Sequence, residues 1–333
     1  MHFGFLLNNF AELTITGLAL GAIYALVALG YTMVYGVLQL INFAHSEVFM
    51  YGTFATAWVA VFVHGTNSVS QDLRSSLGLL ALCVLVAMVT SALVALVVER
   101  LAYRPLIRRG SPKLVVLISA IGASFSLAEI MGLRDRIAGW FGLDDTLHNY
   151  VAQARNVYSS PVTVDPHKVF EFFGYGVTDV DLLVIGAALV MMFALDVFVR
   201  RTRLGRGIRS VAQDPEAAAL MGVNSTRVIR TTFLIGGIMA GVAATLYMLR
   251  IGTTRQDAGF LIGVKAFTAA VMGGIGNLRG ALVGGLLLGV MENWGSAVFG
   301  TQWRDIVTFV LLVVILLVRP TGILGESLGK SRA

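Results

Sequence analysis

Apolar residues in this chain run in blocks too long and too unbroken for one face of a soluble helix. Blocks at 11–36, 42–64, 77–99, 113–133, 180–199, 227–250, 260–275, 279–300 and 304–319 approach or exceed the about 20 residues a helix needs to cross a hydrocarbon layer. The pattern predicts an all-α integral membrane protein, a polytopic bundle of 8–9 transmembrane helices forming a single transmembrane domain over 1–333. The seventh block is the shortest, and is the one expected to be re-entrant or tilted. All six prolines (Pro105, Pro112, Pro161, Pro166, Pro215 and Pro320) fall outside these blocks, so glycine must supply any break inside them.

Polar residues interrupt the pattern at four places. The largest is the loop 134–179, where Arg134, Arg136, Arg155 and Lys168 face Asp135, Asp144, Asp145, Asp165, Glu171 and Asp179. Four positives against six negatives put it outside. Pro161 and Pro166 rule out one continuous helix there, while Trp140, Phe141, Tyr150 and Tyr158 suit an aromatic belt at the membrane surface. The second is the island 200–226. Arg200, Arg201, Arg203, Arg206 and Arg209 pin it to the cytosolic side, as Arg100, Arg104, Arg108, Arg109 and Lys113 pin the loop before the fourth block. Alternation leaves Arg319, Lys330 and Arg332 inside and the N-terminus outside. Within the island, Asp214 can cap a short helix, Pro215 suits its first position, Glu216 complements its dipole and Gly222 can take the left-handed stop. About seven residues make roughly 10 Å of helix, too short to span, and suited to lying across a docking partner.

The third interruption is Leu40 to Gly52, where Asn42, His45, Ser46 and Glu47 enter an apolar region. Two readings are open and compatible: polar groups lining a path at membrane depth, or the cytosolic start of the second span with Asn42 as cap and Glu47 in its first turns. The fourth is Gly273 to Gly289, with glycines every fourth residue at Gly276, Gly280 and Gly284, and again at Gly285 and Gly289. Small residues at that interval let helices pack closely. Gly273, Gly274, Gly276 and Gly280, which enclose Asn277 and Arg279, equally suit a broken helix or tight turn. One interruption in each half is the pattern of inverted-repeat carriers. Glu129, Lys265 and Glu292 are the other ionisable residues at depth, expected near span ends or in helix–helix contacts.

Composition agrees. A 56% hydrophobic share, 13% charged residues and a mean hydropathy of +0.79 exclude a soluble domain. The net charge of +6 lies at the ends of apolar blocks and anchors topology, so nucleic acid is not an expected partner and membrane lipid is. The single Cys83 permits no internal disulfide and no cysteine-based metal cluster. No signal-peptide cleavage pattern interrupts the first block.

Catalytic chemistry is not legible. The tail Gly325-Glu326-Ser327-Leu328-Gly329-Lys330-Ser331 is one residue short of a phosphate-binding loop, and Gly274 to Gly280 misses the dinucleotide spacing by one. Of His2, His45, His64, His148 and His167, only His45 with Glu47 approaches a catalytic constellation, and two residues apart on a helix the two side chains diverge. The chain is expected to be no enzyme, with no catalytic residue, no metal and no cofactor of its own.

Seven stretches carry a family resemblance: GLALGAIYAL at 17–26, GYTMVYG at 30–36, INFAH at 41–45, ERLAYRPL at 99–106, KAFTAAV at 265–271, GGIG at 273–276 and PTGILG at 320–325. Together they resemble the branched-chain amino-acid ABC importer permeases, in particular the smaller, H-type subunit, over almost the whole chain. The loop 134–179 matches least, and Ser46 stands where the family commonly has Gly. The resemblance implies a plasma (inner) membrane permease working beside a homologous second permease, two cytosolic ATPases that bind ATP and Mg, and an extracytoplasmic amino-acid-binding protein. It makes Asp214, Pro215, Glu216, Ala217, Ala218 and Gly222 the ATPase-coupling helix; the mechanism expected on physical grounds is alternating access, with the polar residues Asn42, His45, Lys265 and Asn277 as candidates for the substrate path. The rivals are a same-family importer of urea, amides or another amino acid, and an ion-coupled secondary carrier.

Overall fold

The computed structural model describes residues 3–143, 145–152 and 154–325. The charges at Asp144, Lys330 and Arg332, His2 and the near-miss tail motif after Gly325 lie outside them. Among the described residues eight helices are long and apolar enough to cross a membrane: α1 Phe10–Leu38, α2 His45–His64, α3 Leu73–Arg108, α4 Lys113–Gly132, α5 Asp179–Arg201, α8 Ser225–Ile251, α10 Leu278–Phe299 and α11, whose regular part is Arg304–Val318. Between them lie α6 Arg203–Gln213, α7 Pro215–Leu220 and the shorter apolar α9 Ala258–Gly273. The chain is thus an all-α polytopic membrane protein, as the apolar blocks predict.

The described residues form two compact units. The first holds α1, α5, α6, α7, the end of α9, α10 and α11. Its spine is the pair α1 and α10, and the two glycine series of α10 serve different partners. Gly280 and Gly284 lie against the backbone of Gly273 and Ala269, whereas Gly285 and Gly289 lie against Ala25, Gly17 and Gly21 of α1. A hairpin, Lys168–Phe172 with Tyr175–Thr178, leads into α5, whose N-terminus is closed by a Thr178–Asp181 capping box.

The second unit holds α2, α3, α4, the loop up to His167, most of α8 and the start of α9. Gly237 and Gly241 of α8 take the backbone of α3 at Ala92 and Met88, and Gly52 of α2 faces Ser91 of α3 and Ala244 of α8. Helix α3 continues past Arg100, where the sequence suggests a loop. A π turn at Glu99–Tyr103 precedes the last turn, Arg104–Arg108, and Pro105 stands in the first turn of that segment, where a missing N–H is tolerated.

Two small strand pairs fix which connections share a face of the membrane. Val69–Asp72 runs parallel to Val162–Asp165, and Tyr158–Ser159 pairs with Thr253–Thr254. The α2–α3 link, the loop after α4 and the α8–α9 link therefore lie on one side, as alternation requires. Arg134 ties this loop down: its guanidinium donates to Met131, Tyr150, Ala152 and Ala154 carbonyls and stacks over Phe54 and Tyr158. Burial pulls the Arg134 pKa below its ordinary value, partly offset by Tyr158 and Asp135.

Candidate functional site

The polar island folds further than its arginine density suggests. Thr202 accepts a hydrogen bond from Gly205 N at 2.9 Å, starting α6. A Cβ at Gly205 would fall 2.3 Å from the Val199 carbonyl, so the elbow out of α5 needs glycine. Helix α6 buries Gly205, Ile208 and Val211. Leu204, Ile208 and Val211 at helical spacing are the signal that could have found it.

Asp214 then caps α7. Its Oδ1 accepts from Glu216 N at 2.9 Å and Ala217 N at 3.0 Å, Pro215 is the first helical residue, and Gly222 takes φ +81. Ala218 is the one buried position of this short helix. Pro215, Glu216 and Ala217 are exposed, and Leu220 and Met221, not singled out from sequence, stand 89% and 84% exposed beside them. Two large apolar side chains thus stand exposed at the end of a capped turn. Asp214→Ala should cost about 1 kcal/mol of local helix stability, read as faster amide exchange over 215–221 with the spans unchanged.

The interruption before α2 is a real break. Gln39 turns left-handed (φ 50) and α2 begins only at His45. Asn42 is not the cap: its side chain is 2% exposed and accepts from Tyr103 OH at 3.0 Å, while its backbone carbonyl receives His45 N. Ser46 costs no bend, because the turn is made before it and its hydroxyl closes onto Phe43 O at 2.7 Å. His45 and Glu47 are each 1% exposed. Glu47 Oε1 accepts from Ser124 Oγ at 3.3 Å and from Ser46 Oγ at 3.4 Å.

Gly273 to Gly280 forms a tight turn. Helix α9 ends at Gly273, Gly274 and Gly276 have φ +107 and +93, and Asn277 opens α10 by accepting from Arg279 N and Gly280 N. The 320–325 stretch locks this turn. Ile323 N and Leu324 N donate to the Met272 and Gly273 carbonyls, and Asn277 Nδ2 donates to Leu324 O at 2.8 Å. Two of the resembling motifs are thus one clasp, and both ends of the Asn277 amide are used on backbone. Arg279 reaches Asp196 of α5, which also pairs with Arg200, so this turn shares a face with the start of the α6–α7 island.

Lys265 lies eight residues before Gly273, about 12 Å along the axis, and meets Glu292 and Asp305 at 2.8 Å each. Glu292 also contacts Arg304 at 2.6 Å and Tyr24 OH at 3.3 Å. The four charges balance, joining α9, α10 and α11 in a region where lone charges would be costly. Glu129, by contrast, pairs with Arg155 in an exposed position. Among the described residues no group of three His, Cys, Asp or Glu could hold a metal.

Residues 13–316 match the family model described as branched-chain amino acid transport system / permease component. The high-affinity branched-chain amino acid transport system permease protein BraD of Pseudomonas aeruginosa is 41% identical over 96% of this chain and 96% of its own length. The corresponding protein LivH of Escherichia coli K12 is 38% identical over 95% of this chain and 96% of its own. A probable branched-chain amino acid transport permease protein LivH of Methanocaldococcus jannaschii is 25% identical over 90% and 88%. By this match along nearly its whole length, the chain belongs to the branched-chain amino acid transport system permease family.

Proposed function

We propose that this protein is the permease of an inner-membrane ABC importer that moves leucine, isoleucine and valine inward by alternating access. The observation that carries the reading is the full-length match to permeases named for these substrates at up to 41% identity. In this reading ATP and Mg are bound by two separate ATPase subunits, a homologous permease completes the path, and an extracytoplasmic binding protein delivers the cargo. Helix α7 is the coupling element: Glu216 and Ala217 sit on its exposed side, and Leu220 and Met221 form the apolar tip that enters an ATPase cleft. In this reading the arginines of the α5–α6 corner lie in the cytosol by the positive-inside rule, with the N-terminus outside and the C-terminus inside.

Uptake of labelled leucine in cells lacking their own permease, complemented with this chain, tests the reading. Uptake should vanish when the paired ATPase genes are deleted. With the ATPases present, Glu216→Arg or Gly222→Pro should lower it by about tenfold or more, at least about 1.4 kcal/mol of lost coupling. Undiminished uptake without the ATPases would end the proposal, and normal uptake and ATPase association in both variants would remove α7 from its coupling role.

A further inference from the structure

Four acidic side chains are almost fully buried among the described residues: Glu47, Glu99, Asp181 and Glu292. Three are compensated. Glu99 meets Arg104, Glu292 meets Lys265 and Arg304, and Asp181 takes donors from Thr178 N, Thr178 Oγ1 and Tyr175 OH. Glu47 forms no ion pair. One of its oxygens takes two long serine hydrogen bonds, and the other, Oε2, is buried with no hydrogen-bond partner. An uncompensated carboxyl in a membrane interior costs several kcal/mol.

Two neighbouring helices give its depth. Ser124, on Oε1, lies eleven residues from the start of α4 and eight from its end, about 16 Å and about 12 Å. Ser91, whose hydroxyl donates to the next residue's carbonyl, Val48 O, at 3.0 Å, is midway along Leu73–Arg108. Glu47 therefore sits near the middle of the spans. Two helices begin there. Glu47 is in the first turn of α2, and Gly259, in the first turn of α9, covers it so closely that a Cβ would fall 2.8 Å from Oε2 and 2.5 Å from Ser46 O. The stretch before α9 dips into the unit to reach this point: Thr254 Oγ1 contacts Thr53 Oγ1 at 2.6 Å, eight residues along α2. It turns at Gly252, φ +73.

A short helix with its start at mid-depth, an extended lead carrying a glycine turn, and a carboxyl with one free oxygen beneath form a covered cation site. Helix N-termini favour the ionised carboxylate, and serines on Oε1 leave Oε2 to a visitor. We propose that Glu47 is the counter-charge that receives the ammonium group of the amino-acid cargo halfway across the membrane, uncovered when the first turn of α9 withdraws. This rests on the transport reading above and deepens it, adding a recognition point that Asn42 and His45 do not supply.

The test uses the assembled transporter in proteoliposomes. Glu47→Gln should lower leucine uptake by about tenfold or more while ATP hydrolysis stays within about twofold, and Glu47→Asp should recover part of the uptake. Uptake by Glu47→Gln equal to that of the unsubstituted protein would overturn the proposal, since a protonated, merely hydrogen-bonded acid tolerates the amide. Should the variant fail to assemble, the unsubstituted transporter decides. Dicyclohexylcarbodiimide modification of Glu47, followed by mass spectrometry during turnover, should be slowed by leucine and by methylammonium, and not by isocaproate, which has the side chain and carboxylate without the amine. Modification that never occurs, or that all three leave unchanged or slow equally, would sink it. Absence of leucine uptake by the unsubstituted transporter, with methylammonium protection intact, would refute the leucine assignment and leave the cation site standing.

Discussion

Glu292→Ala is expected to destabilise the first unit by about 3–5 kcal/mol, because removing one partner of a buried ion pair leaves the others uncompensated. Glu292 is 1% exposed in its side chain and faces both Lys265 and Arg304, so its loss leaves Lys265 with Asp305 alone and Arg304 with no carboxylate, only the Asn293 side-chain oxygen. Lys265→Met should cost less, since Glu292 keeps Arg304 and Tyr24 OH. A matched replacement, Lys265→Met with Glu292→Met, should recover much of the loss, because well-packed apolar residues substitute for buried pairs at little net cost. Thermal unfolding of the detergent-solubilised protein gives the order. Equal tolerance of both single substitutions would show that the network carries no packing role.

Gly289→Val should be at least as severe. A Cβ at Gly289 would lie 2.3 Å from Gly17 O and 2.4 Å from Gly21 N, atoms of the α1 backbone that no rotamer change can move aside. Helix α10 must then separate from α1 and open their shared glycine seam, at about 3 kcal/mol or more. The protein is expected to disappear from membranes by immunoblot. Gly122→Ala is the control: nothing lies within 4 Å of its added Cβ, and its level should be unchanged. Normal accumulation of Gly289→Val would mean that α1 and α10 do not need this contact.

How much was legible follows from what each signal depends on. The spans were readable because a bilayer imposes length and apolarity on every crossing residue, whatever it packs against. Asp214, Pro215 and Gly222 were readable because capping is local. Helix α6 is hidden in the sequence, since three arginines stand among its eleven residues while only two side chains, Ile208 and Val211, are buried beside Gly205. The ends of α3 were misjudged because a π turn lets helix continue through basic residues and a proline. Glu292 and Lys265 were seen as ionisable residues at depth, but their pairing spans 27 residues and nothing in either neighbourhood announces it. For Asn42 and Asn277 the residue type was informative and the partner was not: one supports Tyr103, the other starts a helix. The glycine repeat foretells close packing, yet only the fold shows that Gly280 and Gly284 face α9 while Gly285 and Gly289 face α1.

The clasp has a consequence for biosynthesis. Ile323 and Leu324 complete a corner that opens at Met272 and Gly273, so about fifty residues must still emerge after that corner before it can be closed. Until then the two helices flanking it meet through a bend that lacks these bonds.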